Sequence, residues 1–395
     1  ITYGARVSGK LNPDWRIGAL NVQSQRIDAK GVPTQNYSMI ALQRKLFARS
    51  NIGVYMVNKE SFIDTDLQRS NGFQSYNRDL GFEYNLASAD NFWTGSLFYA
   101  NTISPMQKDR SFSQAASLAY KDNNWAFGFK ESWVGENYNP ETGYVPRVNY
   151  FQTQVDAGKN FYPKNKSTNV FYTTLSAMTM SYWNNQGTFT DNTSYVAYEG
   201  TMKDRATFGT YLSYDYVKLL YDFDATRMGN TALKKGTEHD WYALNARYGS
   251  SPIKLFTYTL SSRFGGYYGQ GWRTGITADI GYRFQPYGSF SVAVDYNDIV
   301  DVAIPGTDVA AAKKVSSNFW IIRPKIDITF SNKLFFATFF QLNQQTKNVN
   351  LNARLQWRYK PASDLFLVYT DNYFPEIMQI RNRALVLKLN YWLNL

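Results

Sequence analysis

Val349-Asn350-Leu351-Asn352-Ala353-Arg354-Leu355-Gln356-Trp357-Arg358-Tyr359-Lys360 alternates without a break. Val349, Leu351, Ala353, Leu355, Trp357 and Tyr359 take one face, and Asn350, Asn352, Arg354, Gln356, Arg358 and Lys360 take the other. This is the period of two that a β-strand imposes on its side chains. A strand in a soluble sheet is usually shorter, whereas a tilted strand needs about 9 to 11 residues to cross a bilayer. The apolar face is therefore expected against lipid and the polar face against water.

The pattern repeats on both sides of this segment. At the C-terminus Leu385, Leu387, Leu389, Tyr391, Leu393 and Leu395 oppose Lys388, Asn390 and Asn394. In residues 318–330, Trp320, Ile322, Ile326, Ile328 and Phe330 oppose Arg323, Lys325, Asp327 and Thr329. Pro324 falls on the apolar side and cannot donate to a ladder, so a bulge or a missing hydrogen bond is expected there. Upstream, Leu80, Phe82, Tyr84 and Leu86 alternate with Asp79, Gly81, Glu83 and Asn85, and residues 274–283 do likewise. Residues 15–22, 92–99 and 125–134 are less regular, the last because of Glu131.

Read this way along its length, the chain holds about 21 strands, the last five near 317–330, 333–344, 348–360, 363–373 and 383–395. The expected fold is all-β: one transmembrane antiparallel outer-membrane β-barrel of about 20 to 22 strands, spanning residues 1–395 as a single domain. Short connections, such as 10–14, 48–51, 88–91 and 123–124, interleave with long ones at 63–74, 137–148, 221–238, 301–316 and 374–382. In outer-membrane barrels short turns are periplasmic and long loops extracellular. The short first connection then starts Ile1 at the extracellular side, and an even strand number calls for a further strand before it. A barrel this wide needs its lumen filled, by preceding sequence, a partner chain or an infolded loop such as 221–238 or 301–316.

Composition agrees with a membrane barrel and narrows the chemistry. Aromatic residues make up 17% and charged residues only 18%, an unusual balance for a water-soluble surface. No apolar run approaches the roughly 18 residues of a helical span. The net charge is +11, but the Lys and Arg are spread over the whole chain and no nucleic-acid motif is present, which argues against nucleic acid as a partner. There is no cysteine and a single histidine, His239, expected as an exposed loop residue. Thiolate and multi-histidine chemistry is therefore absent, and no enzyme and no cofactor are expected. Residues 4–10 match the spacing of a phosphate-binding loop, but Leu11 stands where Ser or Thr should be. Asp222 and Asp224 on a long loop are a thin basis for Ca²⁺.

Three stretches carry a resemblance: Arg49-Ser50-Asn51-Ile52-Gly53, Tyr359-Lys360-Pro361-Ala362-Ser363-Asp364-Leu365-Phe366-Leu367-Val368-Tyr369 and Arg381-Asn382-Arg383-Ala384-Leu385-Val386-Leu387-Lys388-Leu389. They resemble the C-terminal barrel region of a bacteroidete outer-membrane family of unknown function. Members of that family carry a carbohydrate-binding-type β-sandwich ahead of the barrel. The resemblance implies a channel or membrane anchor for surface saccharide binding or transport in the bacterial outer membrane. Lipid, lipopolysaccharide or saccharide, and a plug or partner protein, would be its partners. The alternative from another class is a structural or assembly subunit of an outer-membrane complex that docks a partner protein. A β-propeller glycosidase is disfavoured, because no repeat of blade length recurs.

Two groups of residues are candidate sites. Arg323, Lys325, Arg354, Arg358 and Lys388 are expected to face the lumen, where they attract anions or pair with acids such as Asp295 and Asp327. Trp15, Trp125, Trp272, Trp357 and Trp392 lie near strand ends, where interfacial girdles and sugar-stacking platforms place rings alike.

Overall fold

The computed structural model describes residues 1–106, 108–165, 167–304, 313–374 and 379–392. Twenty-one strands form one sheet. They are β1 (Tyr3–Lys10), β2 (Trp15–Gln23), β3 (Thr34–Leu46), β4 (Ser50–Phe62), β5 (Tyr76–Ala87), β6 (Trp93–Ile103) and β7 (Phe112–Lys121). Then come β8 (Trp125–Val134), β9 (Tyr150–Phe161), β10 (Val170–Trp183), β11 (Phe189–Met202), β12 (Thr207–Lys218), β13 (Glu238–Gly249) and β14 (Phe256–Tyr267). The last seven are β15 (Gly271–Phe284), β16 (Gly288–Ile304), β17 (Lys313–Thr329), β18 (Leu334–Asn343), β19 (Asn348–Lys360), β20 (Ser363–Phe374) and β21 (Gln379–Leu389). The sheet is antiparallel, with neighbours in sequence paired, and among the described residues no helix is long and apolar enough to cross a membrane.

Two compact units make up the chain. The first holds residues 1–159 with 176–193, and the second residues 160–175 with 194–395. In each, the alternation read from sequence becomes two chemically distinct faces. Leu97, Leu118, Phe127 and Phe129 in the first unit, and Leu244, Leu260, Ile276, Ile280 and Phe290 in the second, are exposed on one face. This apolar side is called the outer face here. Asp79, Asn77 and Asn245 are buried on the other, inner face. In a soluble sheet the apolar face would be the buried one; here the arrangement is inverted, which is the signature of a sheet solvated by lipid.

The outer face also carries the expected ring belts. In the first unit Phe112, Trp133, Phe151, Trp183 and Phe189 follow one another on β7 to β11 with centroids 5.1, 6.3, 6.0 and 5.6 Å apart. Trp125, at the opposite end of β8, lies under the Lys159 ammonium at 4.6 Å. Such pairs anchor an interface, with the ring at headgroup depth and the cation reaching into water. Trp272, Trp357 and Trp392 are exposed too, while Trp15 is half-buried beneath Arg44.

Two expectations need correction. The connection 301–316 is not a long loop, because β16 continues to Ile304 and β17 begins at Lys313; the residues between lie outside those described. The extension stems from a register shift between Ile299 and Val302 that lets the hairpin resume with Val302 opposite Val315, both buried. Likewise β21 starts at Gln379 and ends at Leu389, so Tyr391 lies beyond the strand and Leu393 and Leu395 lie outside the described residues. Residues 4–10 belong to β1, with no helix after them. Pro324 acts as expected: β17 pairs β18 at Ile322 and again at Lys325 without a change of register, and the ladder skips Arg323 and Pro324.

Candidate ligand site beneath an infolded loop

In the second unit, strand register stacks inner-face residues into rows. One row runs Tyr211, Asn245, Arg263, Gly275, Asn297 and Phe319 across β12 to β17. The next runs Ser213, Ala243, Gly265, Arg273 and Ile299. Each arginine thus has a glycine as a cross-strand neighbour, which leaves room for its long side chain to lie along the wall. The Arg263 guanidinium donates to the Arg273 and Gly266 carbonyls at 3.1 and 2.7 Å. Arg273 donates twice to Asn297 Oδ1, at 3.0 and 2.7 Å. Both guanidiniums lie over the Tyr267 ring, at 5.8 and 5.5 Å.

Residues 219–237, which connect β12 to β13, fold down onto this face. Their frame is Asp224. Its Oδ1 accepts the Thr226 amide and hydroxyl at 2.9 and 2.7 Å, and its Oδ2 accepts the amides of Met228, Gly229 and Asn230 at 3.1, 2.9 and 2.9 Å. Burial by itself would raise this carboxyl, but the bonds from Thr226, Asn230 and Gly229 outweigh it and hold the group below the ordinary carboxylate range. Gly229 closes the turn at φ +82°, a conformation that side chains resist. An isolated bridge between Phe223 and Leu233 ties the loop's two arms. Leu219, Ala225 and Leu233 then bury against Tyr267, Ile299, Val302 and Phe319.

Aromatic rings lock the seat. Tyr268 stands 5.0 Å from Phe223 and 4.7 Å from Trp241. It belongs to the tight turn Tyr268–Gln270, where Gly269 takes φ +59° and a Cβ would meet the Ala303 carbonyl at 2.5 Å. The Gly269 amide donates to His239 Nδ1 at 3.2 Å, which leaves the ring proton on Nε2, 2.8 Å from the Thr237 hydroxyl. His239 is therefore a half-buried residue of β13 and not the exposed loop residue its position suggested; the turn after β14 folds over it.

Between loop and wall lies a cavity of about 830 Å³. Thr226, Arg227, Arg247, Arg263, Arg273 and Tyr267 line it, with Glu199 and Asp295 among the other wall residues. Among the described residues, no carboxylate lies within 4.0 Å of any of these four guanidiniums. Asp295 is taken by Arg323 at 2.5 Å and by the Thr277 hydroxyl at 2.9 Å.

The first unit has a counterpart in residues 135–149, which cross the inner face of β4 to β6. Tyr138 and Tyr55 both donate to Asp79, at 3.3 and 3.0 Å, and Lys59 pairs with Glu141 at 2.5 Å. Asn77 and the loop exchange two bonds, to the Asn139 carbonyl and from the Glu141 amide. Arg147 reaches Asp191 at 2.7 Å and Thr190 at 2.8 Å while lying over Tyr150 and Tyr182. Burial and the Asp79 charge raise the Tyr138 phenol above its ordinary range, so it stays a donor.

A family profile described as a domain of unknown function, DUF5916, matches residues 6–303, well over half the chain. The chain belongs to the DUF5916 family. The matched span contains both infolded loops and all four cavity arginines of this DUF5916 chain. Among solved structures it is similar to the siderophore receptor PirA from Acinetobacter baumannii, with a TM-score of 0.50 and 10% identity over 96% of this chain and 70% of that one. A mutant of the ferric enterobactin receptor PfeA from Pseudomonas aeruginosa aligns with a TM-score of 0.43 and 10% identity, over 92% and 69% of the two chains. No curated protein matches. The fold of the DUF5916 chain is thus that of the large outer-membrane receptor β-barrels.

The cations expected to face the lumen are not brought together. Arg323 pairs with Asp295, Lys325 with Asp327 at 2.8 Å, and Arg358 with Asp364 at 3.3 Å, so these pair with acids as the second sequence reading allowed. Arg354 and Lys388 are exposed on β19 and β21, apart from the cavity. Asp222 pairs with Lys234 at 2.8 Å and Asp224 is saturated by its own loop, and among the described residues no three metal-ligating groups converge. The cavity arginines escaped sequence reading because nothing in one strand reveals which residues of its neighbours share its row. The available signal was an arginine on the polar face of each of three consecutive strands, Arg247, Arg263 and Arg273.

Proposed function

We propose that this chain is a non-enzymatic barrel of the bacterial outer membrane that admits a hydrophilic, ring-bearing solute, with saccharides as its class, and that residues 219–237 close its inner side. The observation that carries this is the loop itself, fixed by Asp224 and by buried Leu233 over a polar cavity instead of extending into water. Likeness to receptor barrels supports a transport role. The rings of Phe208, Tyr211 and Tyr296 in the cavity lining support a ligand with a flat, stackable ring, since such faces recognise sugars and other rings.

Planar-bilayer recording tests this. The intact protein is expected to give small or no current, and a variant with residues 222–235 replaced by a short Gly-Ser link is expected to conduct several-fold more. A large, stable pore from the intact protein would overturn the closing role of the loop. Equal currents from the two proteins would overturn it as well.

A further inference from the structure

The cavity has a charge that its walls leave unbalanced. Four arginines line it, its two wall acids are Glu199 and Asp295, and Asp295 is already bound by Arg323. Arg263 and Arg273 sit side by side over one tyrosine ring, an arrangement in which like charges repel unless an anion separates them. Carbonyls and an amide oxygen orient both groups, and the one further acid whose charge reaches Arg263, Asp215 on β12, makes no ion pair with it within 4.0 Å. Their bonds use two N–H donors on each guanidinium and leave others, from a set of five, for a ligand in the cavity that both residues line. A merely structural arginine would be matched by an acid on the facing strand, as Arg323 is by Asp295. Here the facing residues are Asn245 and Gly275 for Arg263, and Gly265 and Ile299 for Arg273, none of them an acid.

We propose that this cavity binds a small hydrophilic anion carrying at least two acidic groups, carboxylate, phosphate or sulfate. Arg263 and Arg273 clasp one acidic group in forked geometry, and Arg247 and Arg227, on β13 and on the infolded loop, receive the other. Ligand binding then also braces the loop, because Arg227 belongs to it. The inference deepens the transport reading by naming the charge of the solute, and it rests on the same cavity.

The test is calorimetric titration of the purified, detergent-solubilised full chain with digalacturonate, inorganic pyrophosphate and maltose. Saturable binding of either anion is expected, with maltose silent, and R263Q/R273Q should weaken it by at least about tenfold. Should that double variant fail to fold, R247Q, at an exposed wall position, is expected to show a smaller loss in the same direction. Anion binding unchanged in these variants, absence of binding by both anions, or maltose binding as well as the anions would each overturn the proposal. Bilayer recording separates this from the transport reading: anion binding by the intact protein with no pore even in the variant lacking residues 222–235 keeps the site and overturns transport, and a pore in that variant with no anion binding by the intact protein does the reverse.

Discussion

At the residue scale, Asp224 shows how a single carboxylate can hold a loop against a wall. Three successive amides and a Thr226 amide–hydroxyl pair converge on it, so that its removal would take the shared acceptor from five donors at once. Asp224→Ala is expected to cost on the order of 2 kcal/mol of local stability, since charged hydrogen bonds contribute about that much. The carboxyl is held below its ordinary value of 3.8, so the stabilisation is fully present above that value and fades as pH falls through the lower folded value. Pepsin digestion provides the measurement. Wild-type protein should resist cleavage within 219–237 at about pH 5 and become susceptible near about pH 2, whereas Asp224→Ala should be cut at both. Cleavage of wild type at the higher pH would show that Asp224 does not hold the loop.

At the element scale, the two faces of a strand make opposite demands. On β14, Leu260 is exposed on the outer face and the adjacent Ser261 lines the inner cavity. Placing arginine on a lipid face near mid-membrane costs about 2 to 4 kcal/mol, while a polar inner face tolerates it. Leu260→Arg should therefore reduce the folded, heat-modifiable fraction on gels far more than Ser261→Arg. Equal losses would mean that the apolar face is not the one against lipid. Strand elements were largely legible in the sequence for this reason: at 349–360, 318–330 and 79–86 one face is set by lipid and the other by water, and the period of two shows it directly. Where an element extends past the membrane the signal ends. The ends of β16 and β17 at residues 302–304 and 313–315 look like loop in the sequence because Val302, Ile304 and Val315 bury against residues 219–237, not against lipid.

At the scale of the whole molecule, the likeness to a receptor barrel, the inverted faces and the ring belts converge on a membrane barrel, and fractionation checks its location. The protein is expected in the detergent-resistant outer-membrane fraction of the native cell and to require detergent micelles for solubility. Recovery as a monodisperse protein in detergent-free buffer would refute the outer-membrane assignment.

The sequence alone determined that the chain is a sheet of long amphipathic strands, about how many there are, and which face of most of them meets lipid. Those properties are local, written in the chemistry of residues one and two apart. The candidate site was decided only by tertiary structure. Arg247, Arg263 and Arg273 look no different in sequence from Arg323 or Arg358. They differ because the register of β13, β14 and β15 sets glycines and an asparagine beside them where the others meet acids, and because Asp224 folds residues 219–237 over them. Register and loop placement depend on contacts between residues far apart in the chain, and alternation within a strand carries no record of them.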